Sequence, residues 1–188
     1  MEGKVVIISA PSGAGKTTIV RHLLEKPSLK LSFSVSACTR QPRPGEVNGR
    51  DYHFLSVDQF KTMIDDGSLL EWEEVYKNNY YGTPKSEVDR IWKSGHNVLF
   101  DVDVMGGINL KEKFREKALA LFIMPPSIEV LRQRLELRGT EATEKINSRV
   151  NKATLEMKFA RKFDYTVIND NLTIALSETE SLVAAFLK

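Results

Sequence analysis

The stretch VVIISAPSGAGKTTIV (5–20) places a lysine and a threonine directly after a glycine-rich turn, which is a combination that binds phosphate. An apolar, β-branched run precedes the turn, and a helical spacing of apolar residues follows it. Gly13 and Gly15 permit a positive φ, so that successive N–H groups can point at one anion. Lys16 adds a cation, and the hydroxyl of Thr17 can help to hold Mg²⁺. The stretch therefore predicts a phosphate-binding loop between a buried strand and a helix.

The first position of this loop departs from the usual pattern, because Ala10 stands where glycine is expected. Alanine fits there if its φ angle is negative, and we predict that it is. The loop alone does not select a reaction, since GTPases, ATPases, kinases and nucleic-acid motors share it. We assign nucleotide contacts to the whole loop, which comprises Ala10, Pro11, Ser12, Gly13, Ala14, Gly15, Lys16, Thr17 and Thr18.

A second candidate anion site lies in SACTRQPRPGEVNGRDYHF (36–54), which carries several arginines. Arg40 and Arg43 are three residues apart and are stiffened by Pro42 and Pro44, which favours a bidentate clamp for an anion. A solvated basic loop would have the same composition, and this segment alone does not separate the two interpretations.

The elements that must position these residues alternate between strands and helices along most of the chain. Buried strands are predicted over 4–9, 96–104, 118–124 and 165–170, and helices over 16–26, 84–94, 106–116, 127–138, 142–161 and 172–187. This order predicts an α/β fold with a parallel sheet and helices on both faces. Residues 33–83 differ, because they mix short strands with a Pro/Gly-rich loop, a helix capped by Ser56 and Gln59, and a strand over 69–76. We predict a small β-rich insert there.

Composition narrows the class of protein without identifying it. The 188 residues are 41% hydrophobic and carry a net charge of +2, which suits one compact domain and calls for neither nucleic acid nor a membrane as a partner. No run approaches the roughly 18 apolar residues of a membrane span, and the N-terminus has no signal-peptide pattern. Cys38 is the only cysteine, which excludes an internal disulfide, and we expect a cytoplasmic protein. Composition does not decide between a monomer and a homodimer.

Five segments together resemble guanylate kinase, a family of P-loop nucleoside monophosphate kinases, and the resemblance runs from about residue 4 to residue 170. The segments are APSGAGKT (10–17), TRQPRPGEVNGRDYHF (39–54), LLEWEEVYKNNYYGTP (69–84), FDVDVMGG (100–107) and LRQRLELRGTE (131–141). The second is the most specific of the five.

The resemblance implies transfer of the γ-phosphoryl group of ATP to GMP, with Mg²⁺ as the cofactor. It also implies how the single domain is organised. The expected parts are a P-loop NTPase-type core (1–32, 84–125 and 161–188), a mixed α/β GMP-binding insert (33–83) and a helical lid (126–160).

The resemblance assigns the acceptor site to the insert and to one core segment. It implies that the GMP phosphate contacts Arg40, Arg43, Tyr52 and Tyr81, that guanine contacts Ser36, Glu71 and Thr83, and that Asp103 faces GMP. A carboxylate suits guanine because the N1–H and N2–H₂ donors are adjacent, whereas adenine has no donor at N1. Glu73 and Glu74 follow Glu71 closely, and only the family register selects among the three.

Other acceptor assignments compete with structural roles. Thr83 precedes Pro84 and could instead cap the next helix. Tyr80 and Tyr81 could both be core aromatics. The segment between Glu71 and YYGT is one residue longer than the family pattern, and we expect a turn at 77–79 to absorb the difference.

The resemblance places four cations around the ATP phosphates as catalytic residues. These are Lys16, Arg134, Arg138 and Arg149. Arg134 and Arg138 are four residues apart, which puts them on one face of a helix, and we expect one of the three arginines to be mainly structural. A solvated helix surface is the better interpretation for Arg132, Lys145 and Lys152.

Two further residues are assigned near ATP. Asp101 ends a buried strand, and we expect it to order the Mg²⁺ shell, through water, together with Thr17. Asn169 resembles the family residue that meets adenine, although it also fits a turn and helix cap.

Two other functions are weighed against the kinase. A related module that binds a phosphorylated peptide without chemistry typically lacks the loop lysine and the lid arginines, which this chain has. A kinase for another monophosphate is disfavoured by Glu71 and the TRQPRPGE loop (39–46), while dGMP stays open beside GMP.

Overall fold

The computed structural model describes residues 3–137 and 143–188, and this part of the chain contains nine strands and seven α-helices. The strands are β1 (Val5–Ser9), β2 (Leu31–Phe33), β3 (Ala37–Cys38), β4 (His53–Phe54), β5 (Leu69–Tyr76), β6 (Asn79–Pro84), β7 (Asn97–Asp101), β8 (Ala118–Met124) and β9 (Tyr165–Ile168). The helices are α1 (Lys16–Leu24), α2 (Val57–Asp65), α3 (Lys85–Lys93), α4 (Val104–Phe114), α5 (Ile128–Leu137), α6 (Thr143–Met157) and α7 (Leu172–Leu187).

Five strands form one parallel sheet in the order β2-β7-β1-β8-β9, which confirms the fold predicted from the alternating pattern. The central strand β1 is buried along its whole length, because helices cover both faces of the sheet. α1 and α7 pack on one face, and α3 and α4 pack on the other. Since β1 and β7 are parallel neighbours, the loop after β1 and the acidic end of β7 meet at the same edge.

The chain between β2 and α3 forms a second, mixed sheet in the order β4-β3-β6-β5, as expected for an insert. β5 and β6 pair in an antiparallel hairpin, and Asn78 in its turn has a φ angle of 62°, which asparagine tolerates better than most residues. The turn lies where the sequence analysis expected one, at residues 77–79, and its role in absorbing an extra residue stays a prediction. α2 begins with the predicted capping box of Ser56 and Gln59 and packs Phe60 against Tyr80.

α5 and α6 pack on each other and bury a small apolar cluster of their own, consisting of Leu131, Leu135, Ile146, Val150 and Ala153. The insert likewise buries its own cluster around Phe60. Arg138 lies outside the described residues. Within residues 3–137 and 143–188, none of the helices combines the length and the apolar character needed to cross a bilayer.

The starts of α4 and α3 differ from the prediction, and local contacts explain both. β7 ends at Asp101, and α4 begins two residues before its predicted start because Asp103 caps it by accepting a hydrogen bond from Gly106 N–H at 2.7 Å. Thr83 does not cap α3, since β6 continues to Pro84 and Pro84 occupies the N-cap position. Thr83 is therefore a residue of strand β6 and not a helix cap.

Candidate active site

The loop after β1 has the backbone geometry that its sequence predicted. Gly13 and Gly15 have φ angles of 96° and 97°, in the left-handed region that favours glycine. Ala10 is not among the described non-glycine residues with positive φ, which confirms the condition set for alanine there. The loop ends at the N-terminus of α1, where unpaired backbone N–H groups favour an anion.

Asn169 and Arg134 lie beneath the loop. Neither is among the residues that line the cavity along it. The side chain of Asn169 is buried, and its Nδ2 donates to the carbonyl oxygen of Ala14 at 2.7 Å. A Cβ atom at Gly15 would collide with the same amide, so packing as well as φ requires glycine. Arg134 donates from Nη2 to the carbonyl oxygen of Asn169 at 2.8 Å. Arg134 thus contacts Asn169, which contacts the loop backbone, and their roles beside the ATP phosphates and adenine stay predictions.

Lys16 and Asp101 join the loop to the end of β7. The ammonium of Lys16 forms an ion pair with the Asp101 carboxylate and donates to the carbonyl oxygen of Val102 at 2.8 Å. Thr17 and Thr18 lie next to Lys16 at the start of α1, and Thr18 is exposed. A cation, a carboxylate and two hydroxyls thus meet at the carboxyl edge of the sheet.

Arg149 reaches the loop from α6, where its Nη1 donates to Oγ of Ser12 at 2.7 Å. Lys152 and Glu156 lie three and seven positions further along α6, and they line the cleft beside Arg149. Nζ of Lys152 is 3.7 Å from Oε1 of Glu156. Lys152, which the sequence interpretation left on the solvated helix surface, thus borders the cleft, and its helical spacing from Arg149 was the signal that could have placed it there.

The β5–β6 register decides which of the consecutive glutamates faces the cleft. Glu71 pairs with Thr83 and Glu73 pairs with Tyr81, so these four side chains share one face. Thr83 donates from Oγ1 to Oε1 of Glu71 at 2.7 Å. Glu74 lies on the opposite, exposed face. Burial raises the pKa of Glu71 even though the Thr83 bond opposes that shift.

The two tyrosines of β6 separate for the same reason. Tyr80 is buried and stacks on Phe60 with ring centroids 5.5 Å apart, which makes it a core residue of the insert. Tyr81 faces the cleft and meets Tyr52 edge to face, with centroids 6.1 Å apart. Burial raises the pKa of Tyr52. The structure thus brings Tyr52 and Tyr81 together, as the sequence reasoning expected.

Arg40 does not face the cleft alongside Arg43. Nη1 and Nη2 of Arg40 donate to the two carboxylate oxygens of Glu46 at 2.6 and 2.7 Å, and the guanidinium stacks 4.9 Å from the Tyr52 ring centroid. The Glu46 carboxylate also accepts from the backbone N–H of Arg43 at 2.7 Å. The Arg40 contact lowers the pKa of Glu46 to about 2. Glu46, which the sequence reasoning missed, organises this loop, and of the two arginines only Arg43 is among the residues that line the cavity along the phosphate loop.

Glu73, which the sequence reasoning missed, is a further carboxylate of the cleft and lines the same cavity as Asp103. Burial, together with the neighbouring Asp103 carboxylate, raises the pKa of Glu73 to about 7, while the charge of Lys152 opposes the shift. Glu73 is therefore partly protonated near neutral pH. The spacing of two residues from Glu71 on a strand was the available signal for Glu73.

Two cavities of about 420 Å³ and about 380 Å³ adjoin and form one cleft between the loop, the insert sheet and α6. The first follows the loop, and the second follows the shared face of β5 and β6 and includes Ser36. Both are lined by Ser12, Lys16, Tyr52, Asp101, Asp103, Arg149 and Lys152. Each cavity has a size typical of small-molecule sites.

Comparisons with known proteins agree with this geometry. The sequence model of the family described as guanylate kinase matches residues 2–186. The chain is 48% identical over 184 residues to a guanylate kinase of Porphyromonas gingivalis, covering 98% of both chains, and 48% identical over 187 residues to one of Bacteroides thetaiotaomicron, covering 100% of this chain and 91% of that protein. Its fold matches the crystal structure of guanylate kinase from Anaplasma phagocytophilum with a TM-score of 0.78 and 28% identity, over 97% of this chain and 85% of that one.

Proposed function

The chain belongs to the guanylate kinase family, and from this premise we propose that it transfers the γ-phosphoryl group of ATP to GMP. A phosphate oxygen of GMP forms a bond to the γ-phosphorus, the bond from that phosphorus to the β–γ bridging oxygen breaks, and ADP and GDP leave. We include dGMP as an acceptor, because the assigned residues contact the base and the phosphate and none of them is assigned to the 2′-hydroxyl. We further propose that the reaction takes place in the cytoplasm, where both nucleotides are available. Because one chain supplies the whole site, the site is compatible with either a monomer or a homodimer.

The phosphate side of the cleft is assigned to ATP. The N–H groups of the loop and of the first turn of α1 can bind an anion, and Lys16 lines the cavity along this loop. Arg149 approaches from α6 and lies over the same loop at Ser12. Charge neutralisation and positioning are what phosphoryl transfer chiefly requires, so these two cations are proposed as catalytic residues. No general base is needed, since a phosphate monoester is already an anion.

The opposite side of the cleft is assigned to GMP. Glu71 presents Oε2 to the cleft while Thr83 occupies Oε1, which suits a base with two adjacent N–H donors. Arg43, Tyr52 and Tyr81 lie between that carboxylate and the loop, where the acceptor phosphate must meet the γ-phosphoryl group. Ser36 and Asp103 complete this side. The observation that carries the proposal is the single cleft whose two halves share Lys16 and Arg149.

Mg²⁺ fits the oxygen donors of the cleft. Thr17 and Asp101 both line it and offer a hydroxyl and a carboxylate, which are ligands that Mg²⁺ accepts. Among the described residues, no group of three or more His, Cys, Asp or Glu side chains could hold a metal ion. We propose that the ion is held mainly by nucleotide phosphates and water, with Thr17 as a ligand and Asp101 ordering the shell. When bound, Mg²⁺ neutralises charge on the phosphates of ATP.

A coupled assay with Mg–ATP tests the proposal. GMP should be converted to GDP, whereas AMP and CMP should react only at trace rates, and an absence of GDP would refute the proposal. Lys16→Met should lower kcat about 10³-fold while GMP still binds in calorimetry, because only the phosphate side loses its cation. Lys61→Met, which changes an exposed lysine on α2, is the matched control and should keep normal kcat. Equal kcat in Lys16→Met and Lys61→Met would remove Lys16 from the mechanism.

A further inference from the structure

Glu87 lies where the chain passes between the core and the insert. The first passage, residues 34–36, links β2 of the core sheet to β3 of the insert, and the second links β6 to α3. Glu87 is in the first turn of α3, and its side chain reaches the first passage. Among the residues that the structure describes, Glu87 is the only charged residue in the buried class, with 7% of its surface exposed. A buried carboxylate needs specific partners, so its contacts indicate what it holds in place.

The Glu87 carboxylate binds groups from both sides of the passage. Oε2 accepts from the backbone N–H of Val35 at 3.0 Å and from Nη2 of Arg90 at 2.8 Å. Oε1 accepts from Nε of Arg90 at 3.2 Å and lies 3.5 Å from Nε2 of His53, on β4 of the insert. Burial alone would raise the pKa of Glu87, but the bonds from Arg90 and Val35 hold it below its ordinary value. The carboxylate is therefore ionised and fixed.

The residues next to these contacts line the cavity along β5 and β6 that is assigned to GMP, here called the acceptor cavity. Val35 precedes Ser36, which lines that cavity. The carbonyl oxygen of Ser36 accepts from the backbone N–H of His53 at 2.9 Å. The passage, Ser36 and β4 thus form one small unit that is attached to α3 of the core through Glu87.

We propose that Glu87 is a positioning residue for the acceptor site, which anchors the passage from core to insert and thereby fixes Ser36 and β4 relative to the core. It does not touch substrate. The proposal rests on the assignment of the insert to GMP. This role differs from that of an ordinary stabilising ion pair. Loss of the carboxylate should shift the acceptor half of the cleft and leave the loop for ATP unchanged.

Steady-state kinetics on the full chain tests this role, with GMP varied at saturating Mg–ATP and then the reverse. Glu87→Gln and Glu87→Ala should raise KM for GMP about ten-fold or more and leave KM for ATP within about two-fold, because the lost hydrogen bonds to a charged group fix residues 34–36 and do not involve the loop for ATP. Thr179→Ala is the matched control, since it removes a buried hydroxyl from α7, distant from the passage. It should lower Tm and change neither KM.

His53→Gln provides a variant that cannot fail through core burial, since 36% of the His53 side chain is exposed. It should raise KM for GMP about three-fold, and combining it with Glu87→Gln should give less than the product of the two single effects. His96→Gln, at the edge of the core, should have no effect on either KM. KM for GMP unchanged in folded Glu87→Gln and in His53→Gln would overturn the proposal, as would equal rises in both KM values.

Ser36→Ala and Glu71→Gln distinguish this failure from a failure of the proposed function. If neither variant raises KM for GMP, the acceptor assignment falls, and the positioning role of Glu87 falls with it. If both raise it while the Glu87 variants do not, only the positioning role is refuted.

Discussion

Replacement of Glu71 by glutamine tests how the cleft selects its acceptor. The exchange removes the negative charge and keeps the shape of the side chain. Thr83 donates a hydrogen bond at the Oε1 position, so it favours the amide oxygen of glutamine at that place. The NH₂ group must then occupy the Oε2 position, which faces the cleft near Gly106. Two donors of guanine would meet a donor instead of an acceptor.

The magnitude follows from the hydrogen bonds that guanine can no longer make. A hydrogen bond to a charged group contributes about 1.5–3 kcal/mol, and an unpaired buried donor costs a further 1–3 kcal/mol. Glu71 is only partly buried, which favours the lower part of the combined range, about 3 kcal/mol. At about 1.4 kcal/mol for each factor of ten, kcat/KM for GMP should fall about 150-fold.

The assay compares kcat/KM for GMP and AMP in Glu71→Gln and in Glu74→Gln. Glu74 is on the same strand, faces the opposite side and is exposed, so its exchange should change neither value by more than about two-fold. In Glu71→Gln, kcat/KM for AMP should not decrease, because the new NH₂ group can donate to N1 of adenine. Equal kcat/KM for GMP in the wild type and in Glu71→Gln would refute the reasoning.

Three further perturbations address other parts of the structure. Arg149→Gln should lower kcat about 10³-fold and leave KM for GMP nearly unchanged, whereas Arg132→Gln, whose guanidinium bonds to Asn147, should stay near wild type in the same assay. The raised pKa of Glu73 means that its contribution to stability is complete below about pH 4.5 and is lost as the pH rises through about 7. The free energy of unfolding of the wild type, relative to that of Glu73→Gln, should therefore decline over this pH range. A difference that stays constant with pH would contradict the raised pKa. Phe60→Ala should destabilise the protein by about 3–5 kcal/mol in urea unfolding, whereas Phe159→Ala, at an exposed position, should cost less than about 1 kcal/mol; equal costs would contradict the insert core.

Features that depend on local sequence could be predicted well. The left-handed glycines, the capping box at Ser56 and the parallel sheet of the core follow from residue type and periodicity. Side chains alternate between the two faces of a strand, so Tyr80 and Tyr81 must point to opposite faces. The register of the hairpin then decides which of the two faces the cleft.

Features that depend on long-range contacts could not be read in the same way. The amide of Asn169 bonds to Ala14, which is 155 residues away in the chain, so a turn sequence gave no sign of it. Arg40 finds Glu46 only because the loop between them folds back on itself. Thr83 stays on a strand because β6 extends to Pro84, and pairing with β5 overrides the capping preference of the local sequence.

The most direct test of a cleft that holds both nucleotides is a crystal structure of the chain with GMP, Mg²⁺ and a non-hydrolysable ATP analogue. We predict that the guanine base lies against Glu71 and Thr83, with N1 and N2 within about 3 Å of the carboxylate. We also predict that the GMP phosphate lies near Arg43, Tyr52 and Tyr81, and that the phosphates of the analogue lie on the loop beside Lys16 and Arg149. A guanine base bound away from Glu71, or a GMP phosphate seated in the loop, would contradict the proposed arrangement.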